Sequence, residues 1–288
     1  MDVTNRIERA LTEALNQADM AGCPPRLAAA MRGAVFPRGA RVRPRLCHSV
    51  ALACGEDNPG ITEAAGAALE LMHCASLIHD DLPCFDGADL RRGRPSVHKA
   101  FGEPLAVLAG DAMIVLAFQT IARVDGPADR LLKLTQIIGS AVGVPFGIVA
   151  GQAWECESEI NLAHYHRSKT GALFVAATAM GAASAGSDPE PWRMVGEKIG
   201  EAYQVADDLR DAAADVEEIG KPVGQDIAHD RPSAVREMGI DGAIYHLKSL
   251  VRGAVEAMPE CTNGNELRSL IMSEATRLVP AKLAATAA

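Results

Sequence analysis

The chain has 288 residues, of which 48% are hydrophobic and only 4% aromatic. Its richness in Ala and Leu is typical of closely packed helices, whereas strands favour β-branched and aromatic residues. The net charge of −9 excludes a general nucleic-acid binder, which needs a basic surface to displace counterions. Local basic clusters can nevertheless bind a small anionic substrate.

Apolar residues recur three and four positions apart along most of the chain, a pattern that predicts helices. In chain order the predicted helices span about residues 3–20, 25–34, 40–54, 60–82, 94–101, 104–124, 128–145, 147–154, 161–184, 190–212, 230–238, 240–257 and 263–278. Short connections with Pro, Gly, Asn or Asp join them, and no low-complexity linker divides the sequence. We therefore predict one all-α domain over residues 1–288, in which outer helices surround an apolar layer.

The cellular setting follows from the cysteines and the apolar segments. The seven cysteines show no CxxC spacing, which favours free thiols in a reducing compartment. The N-terminus is charged throughout and has no signal-peptide core. Residues 134–154 are uncharged and long enough to span a bilayer, but Pro145 and several glycines favour a buried helix. We interpret the apolar residues 170–187 as a buried helix as well. We expect a soluble, cytoplasmic protein without a membrane span.

Two clusters of aspartates each lie at the end of an apolar helix. The first comprises Asp80, Asp81 and Asp86 in DDLPCFD, and the second comprises Asp207, Asp208 and Asp211 in DDLRD. Asp207 and Asp211 are four residues apart and share a helix face, whereas a regular helix would turn Asp86 away from Asp80. Pro83 predicts that the first helix does not stay regular there.

Clustered carboxylates repel one another and resist burial, so a cation is expected between them. Magnesium prefers oxygen ligands and commonly bridges one or two carboxylates to substrate phosphates. Solvated helix ends or a calcium module would be alternatives for a single cluster. Four basic segments favour diphosphate binding instead, because arginine and lysine pair with phosphate oxygens. These segments are Arg38 to Pro44, Arg91 to Pro95, Lys169 to Gly171 and Gly220 to Pro222, with Arg231 further on.

This ordered set of motifs resembles the trans-isoprenyl diphosphate synthase family between about Ala34 and Val235. LIHDDLPCFDGADLRRGRPSVH is similar to the first aspartate-rich motif with its arginine loop, and YQVADDLRD is similar to the second. GDAMIVLAFQ, GQAWE, YHRSKTGALF and GKPVGQD follow in the family's order. The resemblance implies an all-α helical bundle around a central cavity, a homodimer, and a magnesium-dependent prenyl transferase with three Mg²⁺ ions.

The resemblance also implies roles for individual residues. Magnesium ligands would be Asp80, Asp81, Asp86, Asp207 and Asp211, and Asp208 and Lys169 would join these aspartates as catalytic residues. The allylic diphosphate would be bound by Arg91, Lys169, Thr170, Gln204, Lys221 and Arg231. Isopentenyl diphosphate would be bound by Arg43, His73 and Arg92. His73 precedes Asp80 by two helical turns, so both lie on nearly the same face.

The sequence departs from the family pattern at a few positions. Ala40 replaces the lysine that usually contacts isopentenyl diphosphate, and our hypothesis is that Arg38 or Arg41 compensates. Arg231 stands where a lysine is common, and Glu155 where the family often has aspartate.

Product length depends on the small residues before the first aspartates. In family members that stop at farnesyl diphosphate, an aromatic side chain often lies five residues before the first aspartate. Here Ala75 occupies this position, followed by Ser76, and Met72 lies deeper, so the resemblance predicts geranylgeranyl diphosphate (C20) in a carotenoid-type pathway. Farnesyl or mixed synthesis is the alternative. A non-catalytic regulatory subunit would be expected to lose aspartates or cations, and a terpene cyclase would not need Arg43, His73 and Arg92.

Overall fold

A computed structural model describes residues 2–36, 39–159, 165, 167–213 and 233–278. Within these residues the fold is all-α, apart from one hairpin of β1 (Leu90–Arg91) and β2 (Arg94–Pro95). The helices are α1 (Val3–Leu15), α2 (Pro25–Val35), α3 (Val42–Ala53), α4 (Pro59–Asp80), α5 (Val97–Phe101), α6 (Glu103–Ala122), α7 (Ala128–Val142), α8 (Ile148–Ala153), α9 (Ala172–Ser184), α10 (Arg193–Ala213), α11 (Ala234–Glu256) and α12 (Gly264–Leu278). Short 3₁₀ turns cover Asn16–Asp19, Trp154–Cys156 and Glu190–Trp192, and a π-helical turn covers Arg167–Gly171.

Within the described residues the predicted helices are confirmed in type, with differences at their ends and a π-helical turn at Arg167–Gly171 inside the predicted helix 161–184. Residues 161–164, 166 and 230–232 of the predicted helices lie outside the described residues. The predicted helix 94–101 starts too early, because Arg94 and Pro95 pair with β1 and α5 begins only at Val97. The α-helical part of 3–20 ends at Leu15, and the segment predicted as 128–145 ends at Val142, ahead of Pro145. The predicted break between 238 and 240 is confirmed, since Gly239 interrupts α11 with φ +71°.

The chain forms two compact units, with boundaries that fall inside α7 and α9. The first comprises residues 1–139 and 180–187, and the second comprises residues 140–179 and 188–288. The prediction of one domain stays a prediction.

Helix α4 is the core of the first unit. Asn58 caps it by accepting a hydrogen bond from the Gly60 N–H at 3.1 Å, and Pro59 occupies its first turn. The helix is apolar on nearly all sides and mostly buried, since α1, α3 and α6 pack against it. Gly66 lets α3 approach closely, because a Cβ there would lie 2.6 Å from the His48 ring. This buried rod ends at the first aspartate cluster.

Among the helices of the described residues, two are long and apolar enough to cross a membrane by length and composition alone, which is weak support for a span. One is α4, a mostly buried core helix. The other is α6, which is only 39% buried and leaves Val107, Leu108 and Val115 exposed.

Glycines set the close packing in the second unit. Gly196 of α10 faces α9, where a Cβ would lie 2.6 Å from the Val175 Cα. Gly200, one turn later, lies against the π-helical turn, with 3.0 Å from its Cβ position to the Gly171 Cα. Helix α11 packs along α10, which ends at the second aspartate cluster.

All seven cysteines are free, as predicted from the sequence. Burial raises the pKa of the Cys74 thiol to about 12, so this cysteine is an inert core residue.

Candidate active site

The backbone turns sharply after α4 and brings the ends of the first aspartate cluster together. The Asp86 N–H donates to the Asp80 carbonyl at 3.0 Å, and the Gly87 N–H donates to the Leu82 carbonyl at 3.0 Å. Pro83 lies inside this turn, as the sequence predicted, and Asp86 therefore returns toward Asp80 instead of continuing around a helix. Asp80 is half-buried and Asp86 is exposed, so both carboxylates reach solvent.

Asp81 belongs to the same cluster but faces inward. It is only 3% exposed and forms a bidentate ion pair with Arg91, whose Nε lies 3.0 and 3.1 Å from the two carboxylate oxygens and whose Nη2 also contacts Oδ1. Burial works against the Arg91 charge, but the hydrogen bonds and charge of Asp81 outweigh it and raise the pKa of Arg91. Arg91 also approaches Asp80, at 3.8 Å. The pair therefore fixes the arginine hairpin to the first cluster.

Three residues predicted to bind isopentenyl diphosphate lie in one cationic region of the first unit. Gly39 lies against the Arg92 guanidinium, since a Cβ at Gly39 would be 2.6 Å from Nη1. Burial, followed by the charges of Arg43 and Arg92, lowers the pKa of His73 well below its ordinary value. His73 is thus neutral at pH 7, and its arginine neighbours supply the positive charge.

Arg41 does not join this cationic surface. The residue is 4% exposed, and its guanidinium donates to Glu8, Glu70 and the Val35 carbonyl at 3.0, 2.7 and 2.8 Å. Direct compensation for Ala40 by Arg41 is therefore wrong, because its nitrogens already donate into the protein. Arg38, the other half of that hypothesis, lies outside the described residues.

The residues predicted to set product length line the buried side of α4. Met72 is fully buried and Ala75 is 1% exposed. Ser76 is half-buried and donates a hydrogen bond to the His73 carbonyl at 2.8 Å. Ala75 lies about 7.5 Å along the helix from Asp80, at 1.5 Å per residue.

In the second unit, the second aspartate cluster divides into two kinds of position. Asp207 is half-buried, pairs with Arg210 at 2.8 Å, and shares its side of α10 with the half-buried Asp211. Asp208 is 6% exposed and accepts hydrogen bonds from the Gln204 amide at 3.0 Å and from the Ala234 N–H at 2.8 Å. Asp208 therefore anchors the start of α11.

Lys169 and Thr170 occupy the π-helical turn. The Thr170 hydroxyl donates to the Gln204 carbonyl oxygen at 2.9 Å, which extends the chain of hydrogen bonds from Asp208. The Lys169 Nζ lies 2.6 Å from the Glu155 carboxylate. The Thr170 contact fixes this side chain next to the second cluster, whereas the Lys169 side chain is held by Glu155. Lys221 and Arg231, which were predicted to act with them, lie outside the described residues.

Glu155 is a functional candidate that the sequence did not assign. Besides Lys169, it accepts hydrogen bonds from the Tyr165 hydroxyl at 2.6 Å and the Gln152 amide at 2.7 Å. The sequence signal for this residue is the segment GQAWE, in which Glu155 stands where the family often has aspartate. Its three donors show that it orients Lys169.

A cavity of about 450 Å³ lies in the second unit beside α10 and the start of α11. Its lining includes Gln204 and Asp208 together with several charged groups, among them Glu197, Glu201 and Arg167. Such a mixed lining differs from the apolar pocket expected for a growing prenyl chain.

The carboxylates suit magnesium bound together with a substrate. Asp80 and Asp86 share a turn, and Asp207 and Asp211 share a helix face, so each cluster presents two oxygen ligands at its surface. Within the described ranges, no group of three or more His, Cys, Asp or Glu side chains is placed to hold an ion by itself. Magnesium often binds through one or two carboxylates, with water and phosphate completing the shell, and these pairs fit that mode.

Two aspartate clusters and adjoining cations in an all-α chain are the arrangement expected of an enzyme that binds diphosphates through magnesium. The sequence profile of the family described as polyprenyl synthetase matches residues 24–263. The chain is a member of the polyprenyl synthetase family and is a prenyl transferase.

Two relatives and one solved structure show which individual enzymes the chain is similar to. The chain is 52% identical over 287 residues to a geranylgeranyl diphosphate synthase from Cereibacter sphaeroides, covering 99% of each sequence. It is 37% identical to a farnesyl diphosphate synthase from Geobacillus stearothermophilus, covering 80% of this chain and 82% of the relative. A Helicobacter pylori geranyltransferase, solved with magnesium and isoprenyl diphosphate, superposes with a TM-score of 0.79 at 28% identity and covers 96% of this chain and 95% of that one.

Proposed function

We propose that this polyprenyl synthetase extends allylic diphosphates with isopentenyl diphosphate and stops at the C20 product, geranylgeranyl diphosphate. The observation that carries the proposal is the 52% identity, over nearly the whole chain, to a geranylgeranyl diphosphate synthase. The small, buried Ala75 supports it, because farnesyl diphosphate synthases often have an aromatic side chain at this position, where it stops the product at a shorter length.

In this proposal each substrate has its own set of diphosphate-binding residues. Arg43, His73 and Arg92 bind isopentenyl diphosphate, with neutral His73 as a hydrogen-bonding partner between two arginines. The allylic diphosphate is bound by Lys169, Thr170 and Gln204, together with Lys221, Arg231 and the side of the Arg91 guanidinium that faces away from Asp81. Ala40 leaves the first set with fewer direct phosphate contacts than the family pattern.

Asp80, Asp86, Asp207 and Asp211 are the proposed ligands of three Mg²⁺ ions. When bound, magnesium neutralises negative charge on the leaving diphosphate. Asp81 keeps Arg91 in place, and Asp208 keeps Gln204 and the start of α11 in place. We assign both as positioning residues, in place of the magnesium-binding role expected for Asp81 and the catalytic role expected for both residues from the sequence.

The reaction breaks the C–O bond of the allylic diphosphate, joins its terminal carbon to the alkene of isopentenyl diphosphate, and releases a proton. Lys169 and Thr170 hold the departing diphosphate by donating to its oxygens. Buried apolar residues around Ala75 exclude water, which would otherwise capture the allylic cation.

Product analysis tests this function. Purified protein is incubated with Mg²⁺, isopentenyl diphosphate and dimethylallyl, geranyl or farnesyl diphosphate, and the alcohols are identified after phosphatase treatment. Geranylgeraniol, lost with EDTA and restored by Mg²⁺, is expected. Farnesol alone would establish the C15 alternative, which the Geobacillus relative represents, and no product from any primer would favour a regulatory subunit.

The pocket assignment has a separate test. Ala75→Tyr is expected to shift the product from C20 toward C15, because a phenol side chain fills the space on α4 below the diphosphate. Ser76→Ala serves as a control, since it removes a hydroxyl without adding bulk. A tyrosine variant that still makes only C20 would show that Ala75 does not set the length.

We also propose a homodimer in which the exposed apolar face of α6 contacts a second copy. Val107, Leu108 and Val115 are 41%, 52% and 55% exposed on this helix, a patch that a partner chain would cover. Leu108→Asp is expected to halve the mass measured by sedimentation, whereas Met20→Asp, at an equally exposed apolar site, is expected to leave it unchanged. Cytoplasmic location and supply of a carotenoid-type pathway complete the proposal.

A further inference from the structure

Arg41 lies in the basic segment before α3 but turns its side chain into the first unit. Three of its nitrogens donate inward, Nε to Glu8, Nη1 to Glu70 and Nη2 to the Val35 carbonyl, at 2.7–3.0 Å. Glu70 is 2% exposed, so this ion pair is buried on both sides. The contacts join three separate helices, α1, α2 and α4, at one guanidinium.

The Arg41 backbone has an uncommon conformation. Its φ of +51° and ψ of +36° lie in the left-handed region, which residues with a Cβ seldom adopt. Such a conformation persists only where the surroundings hold it, and the inward-facing guanidinium contacts provide that hold. The Arg41 carbonyl then accepts a hydrogen bond from the Arg45 N–H at 3.0 Å, which starts α3.

This bend determines where the neighbouring phosphate-binding groups lie. Arg43 is the second residue of α3, and Gly39, two residues before the bend, lies against the Arg92 guanidinium. A change of the Arg41 conformation would therefore rotate Arg43 relative to Gly39 and Arg92. Because Ala40 contributes no charge in this segment, the geometry of the remaining arginines matters more.

We infer that the Glu8–Arg41–Glu70 cluster is a positioning device for the isopentenyl diphosphate site, and that α1 takes part in binding this substrate through Glu8. The inference rests on the proposed assignment of Arg43, His73 and Arg92 to that substrate. Arg41 acts through the backbone that it fixes and makes no contact with the diphosphate.

The chain offers a matched control on the same helix. Arg6 of α1 is 8% exposed and forms its own buried cluster, donating to Glu56 at 2.8 and 2.9 Å and to Glu63 at 3.0 Å. Both clusters tie α1 to the first unit, but only that of Arg41 adjoins the Gly39–Arg43 segment. Loss of either should lower the melting temperature, and only one should alter substrate binding.

The experiment compares Arg41→Met, Glu8→Gln and Arg6→Met by steady-state kinetics with each substrate varied in turn. Arg41→Met and Glu8→Gln are expected to raise the KM for isopentenyl diphosphate between roughly 10- and 100-fold, as for a displacement near 1 Å. The KM for the allylic diphosphate is expected to stay within about twofold. Arg41→Lys keeps the positive charge but makes fewer contacts, so its KM for isopentenyl diphosphate should lie between those of the wild type and Arg41→Met. If Arg41→Met does not fold, Glu8→Gln carries the test alone.

Equal KM changes in Arg41→Met and Arg6→Met, or changes for both substrates alike, would overturn the inference and leave the cluster a structural role. An unchanged isopentenyl diphosphate KM in Glu8→Gln would overturn it as well. Arg43→Ala distinguishes a failure of the proposed binding site from a failure of the positioning inference. If it leaves this KM unchanged, the proposed binding site is wrong; if it raises the KM while Arg41→Met and Glu8→Gln do not, only the positioning inference fails.

Discussion

Gly151 lets helix α8 pack directly on the π-helical turn that carries Lys169 and Thr170. A Cβ at this position would lie 2.7 Å from the Lys169 Cα and 2.9 Å from the Ser168 carbonyl carbon, and the Lys169 amide nitrogen is closer still. All three are backbone atoms, so a side-chain rotation cannot relieve the overlap. Gly151→Ala must therefore move the turn away from α8.

The size of this movement follows from the contact distances. Ordinary contacts of a Cβ begin near 3.4 Å, so the turn must retreat by at least 0.7 Å. A misplacement of about 1 Å can reduce the rate on the order of 10²-fold, because donors no longer meet the oxygens that they bind. Overpacking of this kind also costs about 1–3 kcal/mol of the free energy of unfolding. We expect kcat/KM for the allylic diphosphate to fall about 100-fold.

The assay measures kcat/KM for the allylic substrate at saturating isopentenyl diphosphate, together with denaturant unfolding. Gly139→Ala on α7 is the matched control, since no atom outside its own helix lies within 4 Å of the Cβ position. There alanine should stabilise the helix by up to about 1 kcal/mol and leave kinetics unchanged. Activity within about twofold of wild type in Gly151→Ala would refute the claim that this contact places Lys169 and Thr170.

Three further predictions concern the first unit. Asp81→Asn removes the carboxylate that is hydrogen-bonded to the Arg91 guanidinium and leaves only the longer contact to Asp80 at 3.8 Å. It should lower the free energy of unfolding in urea by about 3–5 kcal/mol, since the Asp81 and Arg91 side chains are 4% and 16% exposed. Burial lowers the pKa of His48 from its ordinary 6.5, so the unfolded chain binds more protons at acidic pH. The contribution of neutral His48 to the free energy of unfolding is fully present above about pH 6.5 and is lost as the pH falls below this value. His48→Leu should therefore reduce the pH dependence of the free energy of unfolding, measured by urea titrations from pH 7 to 5. Gly39→Ala displaces the flexible end of Arg92 and should raise the KM for isopentenyl diphosphate roughly tenfold with little change in melting temperature, since the arginine swings aside at small cost.

Each of these has a contrary outcome. A loss below about 1 kcal/mol in Asp81→Asn would mean that the pair behaves like an exposed one. A slope in His48→Leu equal to that of wild type would assign the acid sensitivity to another group. An unchanged KM in Gly39→Ala would show that Arg92 binds substrate from a different position.

The sequence predicted the scaffold well because its signals are local. The apolar period gave α4 and α10, and Pro83 gave the irregular end of α4, which the Asp86–Asp80 backbone hydrogen bond confirms. The hairpin at residues 90–95 carried no alternating pattern, so it was predicted partly as helix. Two residues per strand are too few for a periodic signal.

The roles of charged residues were harder to predict, because they depend on partners distant in sequence. Arg41 and Arg43 are two residues apart in one basic run, yet Arg41 is buried by Glu8 and Glu70, 33 and 29 positions away. Asp81 and Asp208 likewise resemble their neighbours in sequence, but they face inward toward donors of their own. No local pattern distinguishes a carboxylate that reaches solvent from one that holds the fold.

A single rigid rod, α4, carries His73, Ala75 and Asp80 within eight residues. In the proposed function Ala75 forms the floor of the pocket, and the distance from Asp80 to this floor is then set by the helix, in turns of 5.4 Å. On this proposal, we expect that moving a bulky side chain by one turn along α4 changes the product length while the diphosphate end stays unchanged. Product size in such an enzyme can thus diverge by single substitutions along one helix, without any new chemistry.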